Sequence, residues 1–480
     1  MDTGNIRVRF APSPTGFLHI GGLRTALFNY LFARRYRGKF ILRIEDTDQA
    51  RKVEGAVENL IHLLKYMGLD FDEGPGMTGE YGPYFQSQRL EIYNKYIHEL
   101  VDKGHAYYAF ETPEEIEAMR KEQLSKGMQM MYDRRARNLT EKEVKEKLDG
   151  GIPYVIRLKV PLNMLVKFSD LIRGEVSIDT NLIDDQVLIK SDGYPTYHFA
   201  NVIDDHLMKI SHVIRGEEWL TSVPKHILLY DAFGWEKPEF AHVPLILNAD
   251  RTKLSKRQGD VATEDFLKKG YLKEALINYI ALLGWNPGEG IEREIYSLDE
   301  LTEIFSIENI NSAGAIFNLE KLNWMNSVYI KNYDIDNLLP VAKPFLHSAG
   351  YDISDEEKTK RVLFATRTYI NKLDEIPEVS KIYYTIPSLN PEQEEFLSGT
   401  ESKKILSLLY EKVKSEDEIS VESFKKMIKD IQSETGIKGK SLFQPVRFCL
   451  TGQEHGPDLG LIAYVLGKKE VLGRLRKYEI

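Results

Sequence analysis

Hydrophobic spacing along the first seventy residues changes period, and each change predicts an element. Ile6, Val8 and Phe10 alternate with Arg7 and Arg9, the two-residue period of a strand. Ala11-Pro12-Ser13-Pro14-Thr15-Gly16 follows and excludes helix, because its two prolines lack amide donors and restrict the residues before them. From Gly22, the residues Leu23, Ala26, Leu27, Tyr30 and Leu31 make a helical apolar stripe that ends near Gly38. Phe40–Ile44 reads as a short buried strand, and Ala56–Met67 as a second amphipathic helix stopped by Gly68. Strand, helix, strand, helix in this order is the signature of a parallel sheet with right-handed crossovers.

The pattern then changes. Glu111–Leu148 is strongly charged and mostly helical in period, while Ile152, Tyr154, Ile156, Leu158 and Val160 alternate as a half-buried strand. Val187–Lys190, Ser191-Asp192-Gly193 and Tyr194–Phe199 predict a hairpin closed by an Asp-Gly turn. A mixed α+β insert over residues 108–190 accounts for this stretch. Alternating strands and helices resume near 194 and run to about 250. From about 320 only helical periods remain. Phe424, Met427, Ile428 and Ile431 share one face, and Asp458 is placed to cap a helix carrying Leu461, Ile462, Val465 and Leu466.

Composition narrows the class of protein. A chain of 480 residues suggests roughly three domains. Its 42% apolar and 29% charged residues are ordinary for a soluble globular protein. No apolar run approaches the ~20 residues needed to span a bilayer, and the polar, arginine-broken start predicts no secretory signal. The single cysteine, Cys449, excludes an internal disulfide and any multi-cysteine zinc site, and it fits a reducing, cytosolic setting. A net charge of −9 argues against a nucleic-acid partner, but the charge is unevenly spread. Residues 1–70 carry +4 and residues 401–480 carry +3, leaving −16 on the 330 between them.

Against this frame, two short motifs suit polyphosphate. His19-Ile20-Gly21-Gly22 is delivered by the Pro-rich loop to the start of a helix that follows a strand. Free amides and the helix dipole attract phosphate there, and glycines allow close approach. Lys253-Leu254-Ser255-Lys256-Arg257-Gln258-Gly259 places three cations in five residues, which suits the charge that shifts during phosphoryl or nucleotidyl transfer. Alone, each motif also fits a capped helix or a solvated basic loop. Glu45-Asp46-Thr47-Asp48 falls at the carboxyl end of the second strand, the edge where open α/β sheets bind ligands. These acids suit an ammonium group or a metal, and Asp46 or Asp48 also suits a helix cap. Gly74–Gly79 matches G-x-G-x-x-G by letter but contains proline and opens no helix, so it reads as a surface loop. Gly439-Lys440-Ser441 lacks the first glycine of a P-loop, since position 434 is Glu. No Ser/His/Asp arrangement around G-x-S-x-G and no H-E-x-x-H is present, which suits a reaction whose substrate brings its own nucleophile.

Taken in order, Arg9–Gly16, His19–Gly22, Arg43-Ile44-Glu45-Asp46-Thr47-Asp48, Tyr194–Asn201, Ile214-Arg215-Gly216-Glu217-Glu218-Trp219, Lys253–Arg257 and Ser441–Arg447 resemble the bacterial-type glutamyl-tRNA synthetases of class I. The resemblance covers essentially the whole chain. It implies an α/β fold: a Rossmann-type catalytic domain in two halves, 1–107 and 191–250, with an inserted α+β acceptor-stem-binding domain at 108–190. A loop and stem-contact helical region at 251–320 and an all-α anticodon-binding domain at 321–480 complete it. The implied partners are ATP with Mg2+, L-glutamate and tRNA(Glu), in a cytoplasmic, monomeric enzyme that does not engage membranes. The implied chemistry is attack of the glutamate α-carboxylate on the α-phosphate of ATP, then attack of the terminal ribose 2′-hydroxyl of tRNA on the glutamyl-adenylate.

The implied roles follow position by position. His19, Gly21 and Gly22 hold ATP at the helix start, with Glu218 near the nucleotide. Lys253, Ser255 and Lys256 serve the phosphates, and Lys256 with Lys253 stabilises the departing pyrophosphate. Arg9 and Arg215 contact the two carboxylates of glutamate, for which a guanidinium fork is suited. Glu45 meets the α-ammonium, and Ala11, Ser13, Tyr197 and Asn201 line the amino-acid pocket. Two departures stand out. The commoner class I signature ends in a second histidine where this chain has Gly22. Relatives with a zinc site in the acceptor domain differ at Tyr107-Tyr108-Ala109-Phe110, so no zinc is expected. The rivals are an enzyme that also glutamylates tRNA(Gln), a glutaminyl-tRNA synthetase, a nucleotidyltransferase that also uses His-x-Gly, and a non-catalytic tRNA-binding protein. The Ala11–Gly16 loop and helical tail disfavour the second, the long tail the third, and retention of His19 and Lys256 the fourth.

Overall fold

The computed structural model of this chain describes residues 6–48, 51, 53–254 and 262–476. The chain forms two compact units, Met1–Asp265 with Leu276–Asn318, and Phe266–Ala275 with Leu319–Ile480.

In the first unit β1 (Arg7–Phe10) leads into α1 (Ile20–Arg35), and β2 (Lys39–Leu42) returns parallel to β1, with Val8 opposite Phe40 and Phe10 opposite Leu42. The stripe Leu23, Ala26, Leu27 and Leu31 is fully buried against these strands. The helix begins two residues before its stripe because His19 caps it. The His19 Nδ1 accepts from the amides of Gly21 and Gly22 at 3.1 and 3.3 Å. A second helix, α2 (Ala56–Tyr66), buries Val57, Leu60, Leu63 and Leu64. Its cap is Gly55, with no side-chain bond, so neither expected aspartate caps it. Asp46 instead accepts from the Ser87 amide and hydroxyl at 2.8 and 2.7 Å, and Asp48 pairs with Arg51 at 2.7 Å.

The chain continues through α3 (Leu90–Asp102), β3 (Ala106–Ala109), α4 (Pro113–Ser125), α5 (Glu141–Asp149), β4 (Val155–Leu158), β5 (Leu165–Asp170), β6 (Gly174–Asp179) and β7 (Val187–Ile189). The strands β3, β4 and β7 form an antiparallel sheet with β4 central. By contrast, β5 and β6 join β8 (His212–Gly216) and β9 (Glu239–Val243) in the order β6-β5-β9-β8, and β9 runs parallel to both β5 and β8. Strands from residues 108–190 thus enter two sheets, β4 and β7 in one and β5 and β6 in the other. The Ser211 amide donates to the Arg7 carbonyl at 2.9 Å and lays β8 beside β1.

The hairpin expected after β7 forms only its turn. The Lys190 amide donates to the Tyr194 carbonyl at 2.9 Å, and Gly193 takes φ +82°, which glycine adopts without strain. The return segment adds one bridge, Ile189 opposite Pro195, closed by the Thr196 amide donating to the Leu188 carbonyl at 2.8 Å, and Tyr197–Leu207 is a helix, α6. Helical spacing wins because it buries Phe199, Ala200, Val202 and Ile203 together, whereas a strand would expose half of them. Beyond β8, α7 (Val223–Phe233) ends at Gly234 in the left-handed conformation.

The second unit is helical from Leu319 onward, as its periodicity predicts. Helix Val421–Thr435 starts at a Ser420–Ser423 capping box, buries Phe424, Met427, Ile428 and Ile431, and ends at left-handed Gly436. Asp458 caps Leu459–Leu475 by accepting from the Leu461 amide at 3.1 Å. That helix packs on Val421–Thr435, Thr400–Ser415 and Lys440–Thr451 around one core. Each fully buried aliphatic or aromatic side chain there contributes about 1.5–3 kcal/mol of transfer free energy.

Candidate active site

A group of buried charges forms where β1, the end of β2 and α6 converge. Arg9, Arg43, Glu45, Arg89, Asp204 and Asp205 are each less than a tenth exposed. Asp205 accepts from Arg9 Nε at 3.0 Å and from Arg43 Nη1 at 2.7 Å. Arg43 reaches Glu45 through Nη2 at 3.1 Å, and Asp204 takes Arg89 Nε at 2.7 Å with help from Gln86 and Tyr93. Three guanidiniums thus face three carboxylates, the condition under which buried charge is tolerated. The Asn201 amide completes the set, with its oxygen accepting from Arg43 at 3.0 Å and its nitrogen donating to Asp205 at 3.2 Å. Burial works to raise the Asp205 carboxyl, but Arg9 and Arg43 outweigh it and hold the group below its ordinary value. For Glu45 burial dominates Arg43 and Arg9, so its carboxyl is raised.

Arg215, at the end of β8, is 5% exposed and differs from its neighbours in touching no carboxylate among the described residues. Its Nε donates to His242 Nε2 at 3.1 Å and its Nη1 to the Tyr197 hydroxyl at 2.8 Å. Its Nη2 meets the Trp219 carbonyl and His226 Nδ1, both at 3.4 Å. Burial and the Arg215 charge push His226 well down, and burial leads the causes that bring its partner His198 to about 4. Arg215 is therefore held by neutral groups. Because the Tyr197 oxygen accepts from Arg215, its own O–H points its proton elsewhere. Burial keeps that phenol protonated by raising its pKa.

Both arginines open on one cavity of about 990 Å³. Its floor is Arg9, Glu45, Tyr197 and Arg215, and its wall is the Ala11–Leu18 loop, which includes Ser13. At the other end lie the start of α1, with His19, Gly21 and Gly22, together with Glu218 and Lys253. Gly22 has a packing reason as well: a Cβ there would stand 2.7 Å from Leu18 Cδ1. The described residues on either side of 255–261 lie beside this end. The Leu254 amide donates to the Ile246 carbonyl at 2.9 Å, and the Thr263 amide donates to the Leu18 carbonyl at 2.9 Å. Ser255, Lys256 and Arg257 lie outside the described residues. Asn201 stands beneath the floor in the charge cluster rather than among the residues that line the cavity.

Sequence motifs did not single out Asp204, Asp205, Asp170, His226 or His242. The first pair did leave a signal, two adjacent acids that follow the apolar run Val202-Ile203 on a helix. The histidines and Asp170 gave none, since their partners come from distant strands.

The family model for the class I tRNA synthetase (E and Q) catalytic domain matches residues 5–324, and one for an anticodon binding domain matches 337–479. A glutamate–tRNA ligase from Clostridioides difficile is 49% identical, covering 98% of each chain, and one from Pelodictyon phaeoclathratiforme is 48% identical, covering 98% of this chain and 97% of its own. The crystal structure of a glutamate tRNA ligase from Elizabethkingia meningosepticum, in complex with its amino acid, superposes with a TM-score of 0.89 at 40% identity, covering 99% of both chains. The chain belongs to this family of class I tRNA synthetases, within the branch of the glutamate–tRNA ligases.

Proposed function

We propose that this cavity joins L-glutamate to tRNA(Glu) in two steps, and the observation that carries the reading is Arg215, a buried cation with no carboxylate against it. A side-chain or α-carboxylate of glutamate supplies the missing anion. Arg9 takes the other carboxylate, since Asp205 holds its Nε and its outer nitrogens donate to no described protein group. Glu45 faces the α-ammonium, Ala11, Ser13 and Tyr197 shape the remainder, and Asn201 steadies Arg43 and Asp205 beneath them. Glutamine offers a neutral amide to one of these arginines and loses a charge-assisted bond.

In the first step a glutamate α-carboxylate oxygen attacks the α-phosphorus of ATP, and the bond to the β-phosphate breaks. The α1 amides, His19, Gly21 and Gly22 hold the phosphates, Glu218 lies by the nucleotide, and Lys253, Ser255 and Lys256 serve the departing pyrophosphate. In the second step the terminal 2′-hydroxyl of tRNA attacks the glutamyl carbonyl, and AMP leaves. No protein nucleophile is required, because positioning and charge lower the barrier. Among the described residues no group of three or more His, Cys, Asp or Glu could hold a metal. Mg2+ carried in on the ATP phosphates would neutralise charge there. The enzyme works as a cytoplasmic monomer.

The test is charging of purified tRNA(Glu) and tRNA(Gln) with labelled glutamate and glutamine. Glutamyl-tRNA(Glu) is expected. Glutamine charging without glutamate charging overturns the reading, and glutamyl-tRNA(Gln) would extend it to both acceptors.

A further inference from the structure

We propose that Asp170 and His242 act as a positioning pair that aims the Arg215 guanidinium at a glutamate carboxylate, an inference that rests on the role of Arg215 given above. Asp170 Oδ2 stands 2.6 Å from His242 Nδ1, and His242 Nε2 stands 3.1 Å from Arg215 Nε. Both side chains of the pair are fully buried, and Arg215 is 5% exposed. An arginine N–H cannot accept a hydrogen bond, so Nε2 carries the lone pair and the ring proton sits on Nδ1, donated to Asp170.

The pair is itself fixed. Asp170 Oδ1 accepts from the amides of Ile172 and Arg173 at 3.0 Å each and from that of His242 at 3.3 Å. Arg173 Nε donates to the His242 carbonyl at 3.3 Å, and its guanidinium also binds Glu217, which accepts from the Leu245 amide at 2.7 Å. The turn between β5 and β6 thereby locks β9 beside the end of β8. One imidazole separates the carboxylate from the cation. Direct contact would fill the guanidinium with a protein anion. The spaced arrangement orients Nε while Nη1 and Nη2 meet only neutral groups, and the cation stays available to a ligand.

Histidine mimics separate this role from a structural one. His242→Asn keeps a donor near the Nδ1 position for Asp170 and loses the acceptor for Arg215, whereas His242→Gln does the reverse. Asp170→Asn removes the charge with little change of shape. Aminoacylation at saturating ATP and tRNA should show the glutamate KM raised about tenfold in His242→Asn, the scale of one charge-assisted bond. A similar rise is expected in Asp170→Asn, with the KM for ATP within about twofold of wild type. In an Arg215→Lys background both changes should add almost nothing, since the pair acts through that guanidinium. A wild-type glutamate KM in His242→Asn, or additive losses over Arg215→Lys, overturns the pair. An unchanged glutamate KM in Arg215→Lys alone overturns the reading of Arg215 instead. If one variant does not fold, as thermal unfolding reports, the other carries the test.

Discussion

Arg9 and Asp205 stand 196 residues apart in the chain and 3.0 Å apart in the fold. The same carboxylate oxygen takes Arg43 at 2.7 Å, so one acidic side chain on α6 holds two guanidiniums that arrive on β1 and just past β2. Asp205→Asn keeps the shape and removes the charge. It is expected to destabilise the first unit by about 3–5 kcal/mol, the usual result of unpairing buried cations. The glutamate KM should rise at least about tenfold, because Arg9 loses its orienting partner. Urea unfolding and glutamate-dependent charging measure the two effects.

His19 caps α1 and lines the cavity at the proposed nucleotide site, and two substitutions separate these duties. Asparagine is among the best N-cap residues, so His19→Asn should leave thermal stability nearly unchanged, while His19→Ala costs about 1 kcal/mol. Both variants should slow ATP-dependent adenylate formation by about a hundredfold if the imidazole serves the phosphates. Retention of full activity by His19→Asn would restrict the histidine to capping.

Lys256→Ala should slow adenylate formation far more than it weakens glutamate binding, because its contribution arises as charge moves to the pyrophosphate. Single-turnover rates and glutamate titration distinguish this from a loss of equal size in both.

Acid stability has an identifiable contributor in Glu73. Burial alone would raise its carboxyl, but bonds from Arg7 (2.8 and 3.0 Å) and Tyr84 (2.8 Å) hold it below the ordinary value. A group with a depressed folded pKa stabilises above its unfolded pKa, near 4.3, and loses that contribution as pH falls through the folded value. Glu73→Gln should therefore cost about 1–2 kcal/mol at neutral pH. The difference from wild type should close as pH falls below that unfolded value, as read by urea unfolding across the acid range.

In the second unit Arg474 gathers the carbonyls of Ile382, Leu450 and Thr385 and pairs with Glu470. Arg474→Met fills similar volume but strands three acceptors, two of them bonded by its buried Nη1. It should lower stability by about 3 kcal/mol or more. Adenylate formation by the first unit should be spared. A Tm unchanged within a degree would show that water replaces the guanidinium.

Local chemistry explains what was legible in the sequence. The β1–α1–β2 start and the tail helices were readable because their apolar residues follow a regular period or, in β2, an unbroken run, and Asp458 marks the start of the last helix by type alone. Tyr194–Phe199 misled because Tyr197 and Phe199, two apart and just after an Asp-Gly turn, also fit a returning strand until the burial of Phe199, Ala200, Val202 and Ile203 together on a helix is known. The place of β5 and β6 in the β8–β9 sheet was illegible, since pairing partners lie seventy residues away and leave no mark on the segment. Arg9, Glu45 and Arg215 could be named from motifs. Asp205, Asp170 and His242 could not, because their meaning lies in what the fold brings beside them.

The imidazole over the first turn of α1 also changes how anions meet this protein. Gly21 and Gly22 already donate to His19 Nδ1, so a phosphate oxygen arriving there exchanges one acceptor for another instead of filling a bare row of amides. The gain from that contact alone is the small difference between two acceptors. Stray sulfate or inorganic phosphate is therefore expected to be held weakly, whereas a triphosphate long enough to engage both this turn and the lysine side of the cavity would gain contacts that a single tetrahedral anion cannot span.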